Sequence, residues 1–106
     1  MENWGLITLE NSILADDPKC TPTESLHSNA ITVCHEVSHM WFGNLVTMDW
    51  WDDLWLNEGL ATFFENFILD KIRPELSVWS KYLEDNHYSY DEFMRPLRVE
   101  VPDDPD

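Results

Sequence analysis

His35-Glu36-Val37-Ser38-His39 is followed by eighteen residues, 40 to 57, and then by Glu58 within Trp55-Leu56-Asn57-Glu58-Gly59. The first five residues form an H-E-x-x-H pattern. On an α-helix, residues four apart point the same way, so both imidazoles address one point. Imidazole suits zinc, and a catalytic zinc takes three protein ligands and leaves one position open. Glu36 lies about 100° round the helix from His35, poorly placed as a third ligand and well placed to touch a water at the open position. The third ligand has to come from elsewhere. The eighteen intervening residues allow the first helix to end, a connector to run and a second helix to return antiparallel, with Glu58 near its start. The expected set is one zinc ion per chain on His35, His39 and Glu58, with their ligand atoms within about 3 to 4 Å of one another. Two neutral imidazoles and one carboxylate leave such a site with net positive charge. Its water then has a pKa near about 7, and Glu36 accepts the proton as general base and passes it to a leaving amine. The ordinary alternative is a pair of histidines on a solvated helix face.

The flanking sequence supports helices on both sides of the connector. Thr21-Pro22-Thr23-Glu24 reads as a capping box with proline at the first helical position, opening a helix that runs to Phe42 with Gly43 after it. On that helix Leu26, Ala30, Val33, Val37 and Trp41 share one face, opposite Ser28, Thr32, His35, Glu36 and His39. Asp52 or Asp53 caps a second helix, which stops near Ile72 because Pro74 restricts Arg73. Pro74 opens a third, with Leu76, Trp79, Tyr82 and Leu83 as its apolar stripe. The second helix is apolar over most of its circumference, which suits a helix buried from several sides. So few other elements cannot surround it, and the chain is expected to be a piece of a larger domain. Histidines on a metal usually donate their other ring N–H to a carboxylate or carbonyl. Glu65, seven residues after Glu58, is the candidate for His39, with Thr62 the weaker one.

Met1 to Glu10 reads as a short strand, and Asp16-Asp17-Pro18 as a turn. The fold class expected is mainly α with a short β segment. Residues 1–86 would be the part of the domain carrying the zinc site, and 87–106 an unassigned loop or tail.

Composition excludes several roles. The chain has 106 residues and a net charge of −15, which argues against nucleic acid and anionic membrane surfaces. Six Trp, five Phe and three Tyr argue against disorder. No run of about eighteen apolar residues is present, so no transmembrane segment is expected. No basic, apolar leader is visible at Met1-Glu2-Asn3-Trp4, and the compartment stays open. Cys20 and Cys34 form neither a disulfide framework nor a C-x-x-C pair.

The H-E-x-x-H motif, the eighteen-residue gap and Trp-Leu-Asn-Glu-Gly together resemble the zinc aminopeptidases of the aminopeptidase N and puromycin-sensitive aminopeptidase family. Trp41-Phe42-Gly43-Asn44-Leu45-Val46-Thr47-Met48, Trp50-Trp51 and Met1-Glu2-Asn3-Trp4-Gly5-Leu6 match the same family, over about residues 1 to 72. The resemblance implies a fragment of a thermolysin-like zinc metallopeptidase catalytic domain that removes N-terminal residues from peptides. It implies substrates with a free N-terminus, bound by Glu2 and Asn3, with the Glu2 carboxylate on the α-ammonium. Cys34 and Met40 depart from the family's usual residues. The family's oxyanion-stabilising tyrosine lies further along than this chain extends, and Tyr82, Tyr88 and Tyr90 are not expected to replace it. The competing readings are a catalytically weak zinc-binding or interaction fragment, and an endopeptidase with the same metal site. Glu2 and Asn3 favour the exopeptidase.

Overall fold

The computed structural model describes residues 3–15, 17 and 19–87. Four helices follow in chain order: α1 (Asn11–Leu14), α2 (Thr23–Ser38), α3 (Leu54–Ile72) and α4 (Val78–His87). Three-residue 3-10 turns, Trp51–Asp53 and Pro74–Leu76, lead into α3 and follow it. The architecture is thus mainly helical, as the sequence implies. The expected strand is absent among the described residues. Its segment instead folds on itself, with Leu6 N donating to Asn3 O at 3.1 Å around Gly5 at φ +75°, where a residue with a Cβ is strained. The β-pairing there is an isolated bridge between Asn3 and Leu6. A lone extended segment with no neighbouring strand cannot satisfy its backbone as sheet. The expected tail, 87–106, lies outside the described residues beyond His87.

Helix boundaries follow local chemistry. The Thr21 hydroxyl accepts from Asp17 N at 3.0 Å, while Asp17 Oδ1 accepts from Lys19 N at 2.9 Å. Thr21 therefore closes the preceding turn, and α2 starts at Thr23 without a side-chain cap. The helix ends at Ser38, four residues before Phe42. Ser38 O accepts from both Trp41 N and Phe42 N, at 3.0 Å each, and Asn44 N and its side-chain amide both donate to His39 O. These bonds bend the chain just past the second histidine. Gly43, at φ +132°, then accommodates the turn. α3 begins after Asp53, which makes no side-chain cap, and ends where Arg73 N donates to Leu69 O before Pro74. The third long helix starts at Val78 rather than Pro74, after Ser77 in the left-handed region at φ +49°.

Packing is dominated by α2 against α3. The buried stripe of α3 is Asn57, Ala61, Glu65, Asn66 and Leu69, a spacing of three to four residues. The matching stripe of α2 is His27, Cys34 and Ser38, with Ala30 and Ile31 beside the core cluster of Cys34, Leu69 and Val78. The contact face is therefore half polar. Of the apolar stripe on α2, Ala30 packs beside this core, whereas Val33 stays 36% exposed and Trp41, past the helix end, 53% exposed. On the same contact, His35 meets Glu65 and Glu58 of α3. Trp55, Phe63 and Phe67 also stay exposed. Among the described residues no helix is long and apolar enough to cross a membrane.

Candidate metal centre

His35 and His39 lie one turn apart at the end of α2, and Glu58 projects from the first turns of α3. The three side chains converge. His35 Nε2 is 3.0 Å from His39 Nε2 and 3.2 Å from Glu58 Oε2, and His39 Nε2 is 3.6 Å from the same oxygen. A tetrahedral ion with bonds of about 2.0 to 2.2 Å separates its ligands by about 3.3 to 3.6 Å. The donor triangle, with sides of 3.0, 3.2 and 3.6 Å, is close to that size, two sides being slightly shorter, and its nitrogen and oxygen donors are ones zinc accepts.

The tautomers agree with this. His39 Nδ1 donates to Phe42 O at 3.0 Å, and His35 Nδ1 donates to Glu65 Oε2 at 2.6 Å. Both partners only accept, so both hydrogens sit on Nδ1 in the neutral rings. Each Nε2 then presents a lone pair, and the two lone pairs face one another across 3.0 Å. That arrangement is unfavourable without a cation or proton between them. In the metal-free chain the Glu65 carboxylate, hydrogen-bonded to the ring, holds the His35 imidazolium above the usual histidine range. Burial opposes this, and the charges of Glu65, Glu58 and Glu36 add to it.

Glu65 is buried and serves His35, where the sequence suggested His39. The partner of His39 is the Phe42 carbonyl, which the bend after Ser38 delivers. No sequence signal marks a backbone acceptor of that kind. Thr62 is not hydrogen-bonded to either ring by its hydroxyl; its carbonyl accepts from Asn66 Nδ2 at 2.9 Å. Glu36 is half-buried on the next position of α2 after His35.

Sequence reasoning did not single out Asn66, and it marked Met40 only as a departure from the family's usual residue. Gly5 N donates to Met40 Sδ at 3.3 Å, so the turn containing Asn3 lies beside the residue after His39. Glu2 lies outside the described residues. Glu58 keeps 47% of its side chain exposed and stands at the edge of an open cleft of about 660 Å³. Met48, Trp50, Trp51 and Leu54 line that cleft, with Asp49 and Thr47.

Comparison with known proteins places the chain. A peptidase family M1 domain matches residues 1–101. The puromycin-sensitive aminopeptidase of Caenorhabditis elegans is 48% identical over 85 residues, covering 80% of this chain and 9% of that protein. The alanine/arginine aminopeptidase of Saccharomyces cerevisiae is 46% identical over 105 residues, covering 96% of this chain and 12% of the relative. A probable M1 family aminopeptidase of Encephalitozoon cuniculi is 51% identical over 85 residues, covering 78% and 10%. The chain spans about a tenth of the length of these relatives. With the family domain matched over nearly all of its residues, the chain belongs to peptidase family M1.

Proposed function

We propose that this chain carries the metal centre of a zinc aminopeptidase, with His35, His39 and Glu58 as ligands and Glu36 as general base. The observation that carries the reading is the triangle of donor atoms, 3.0, 3.2 and 3.6 Å on its sides, with both Nδ1 atoms already occupied. When bound, zinc supplies Lewis acidity to a scissile carbonyl and to the attacking water. Glu36 takes the proton from that water and returns it to the leaving amine. Glu65 and the Phe42 carbonyl keep the two rings aimed. The exposed side of Glu58 and the cleft beside it give a peptide room to approach. The substrates are peptides with a free N-terminus, with Asn3 and Glu2 binding that end. Names of the relatives, aminopeptidases throughout, support the exopeptidase over an endopeptidase.

A second reading is a zinc-binding chain that turns over poorly by itself. The exposed aromatic residues Trp51, Trp55, Phe63 and Phe67 favour it, because an efficient site needs walls that exclude water. Hydrolysis of an aminoacyl chromogenic substrate by the purified, zinc-loaded chain, beside a Glu36→Gln variant, separates the two. Glu36-dependent turnover supports the enzyme; equal, background rates in both chains leave only the metal site.

A further inference from the structure

We propose that Asn66 is a positioning residue for the metal centre, acting through Glu65 on His35. The inference rests on the metal reading above. Asn66 follows Glu65 on α3 and is 1% exposed. Its Nδ2 donates to Thr62 O at 2.9 Å and to Glu65 Oε1 at 3.3 Å. Both neighbours only accept, so the NH2 side of the amide must face them, and its orientation is determined. Glu65 is thereby held by both oxygens: Oε1 by Asn66, and Oε2 by the His35 Nδ1 hydrogen at 2.6 Å.

The arrangement forms one continuous chain of hydrogen bonds. It runs from the Thr62 carbonyl through the Asn66 amide and the Glu65 carboxylate to the ring whose Nε2 points at the metal position. Such chains polarise and orient their members together. The last torsion of a glutamate is soft, so a carboxylate held at one oxygen alone can rotate away from its partner. The second anchor at Oε1 removes that freedom. Asn66 Oδ1, meanwhile, is buried with no hydrogen-bond partner among the described residues. An apolar side chain of similar size would carry no such penalty. What the amide contributes at this place is therefore its pair of N–H groups. Asn66 is not among the residues that meet at the metal position, so the proposed effect passes through Glu65.

The test is a double-mutant cycle read by zinc affinity, using competition with a chromophoric chelator. It compares the parent 106-residue chain with Asn66→Leu, Glu65→Ala and the double variant. Loss of an outer-shell partner weakens metal binding by about 10- to 100-fold, and Asn66→Leu should lie near the lower end, about tenfold. In the Glu65→Ala background the same substitution should change affinity by less than about twofold, because the link it acts through is gone. Asn66→Ala carries the same expectation and serves if the leucine variant does not fold. Unchanged affinity in the parent background overturns the inference. So does an equal loss in both backgrounds, which is what a purely structural role would give. Absence of zinc binding by the parent chain is a different result: it removes the metal reading itself.

Discussion

Glu65 Oε2 lies 2.6 Å from His35 Nδ1 across the α2–α3 contact, and this settles which nitrogen of the ring carries the hydrogen. The opposite nitrogen, Nε2, is left to face His39 and Glu58 at 3.0 and 3.2 Å. One buried carboxylate thus joins the packing of two helices to the chemistry at their end.

Replacing Glu65 with glutamine should weaken zinc binding by about 10- to 100-fold while the ligand set stays whole. Chelator competition measures it. Full retention of affinity would show that the ring does not need the negative charge of its acceptor, since the glutamine oxygen can still take the Nδ1 hydrogen.

Stability and metal binding should respond to pH in opposite ways. In the metal-free chain the folded pKa of His35 is raised above its unfolded value, first by the hydrogen bond to Glu65. Its contribution to stability is present in full below about pH 6.5 and disappears as pH rises through the raised folded value. Zinc competes with the proton for Nε2, so its affinity rises over the same interval. The thermal midpoint without metal should fall from about pH 6 to about pH 9, with the added stabilisation by zinc growing. A metal-free midpoint that climbs across that range contradicts the assigned role of Glu65.

The two cysteines should differ sharply in reactivity. Cys20 is exposed and Cys34 buried. Burial, and secondarily the Glu65 charge, push the Cys34 thiol above its ordinary pKa, so little thiolate forms there. Reaction with a chromogenic disulfide should give one fast thiol, removed by Cys20→Ser, and one that reacts only as the chain opens. Two fast phases would mean that the α2–α3 contact is looser than described.

The core is small enough for one side chain to matter. Leu69 is 1% exposed and packs with Cys34 and Val78. Leu69→Ala should lower stability by about 2 to 5 kcal/mol, comparable with the whole stability of a marginal domain. Denaturant unfolding reads this directly, and a loss below about 1 kcal/mol would place the core elsewhere.

Much of the site was legible because it depends on local spacing. Two histidines four apart on a helix share a face whatever surrounds them, and the length of the connector allowed Glu58 to return to them. The carboxylate at position 65 was visible as a candidate, but its partner was not. Which histidine it reaches depends on how α2 is rotated against α3, which the helix periodicity of α2 alone does not fix. The end of α2 was misplaced for a related reason. Ser38 O and the Asn44 side chain stop the helix through bonds that no propensity encodes. Met1 to Glu10 read as a strand, yet an extended segment makes sheet only where a neighbouring strand exists.

The central claim is that His35, His39 and Glu58 form a single zinc site. It is tested most directly by zinc content per chain after gel filtration, at one fixed low free-zinc concentration. The parent and Glu36→Gln should each retain about one zinc per chain, because Glu36 is assigned to the proton and not to the metal. His35→Ala, His39→Ala and Glu58→Ala should each retain almost none. A parent chain that emerges without zinc, or a Glu58→Ala variant that holds it as well as the parent, would contradict the account.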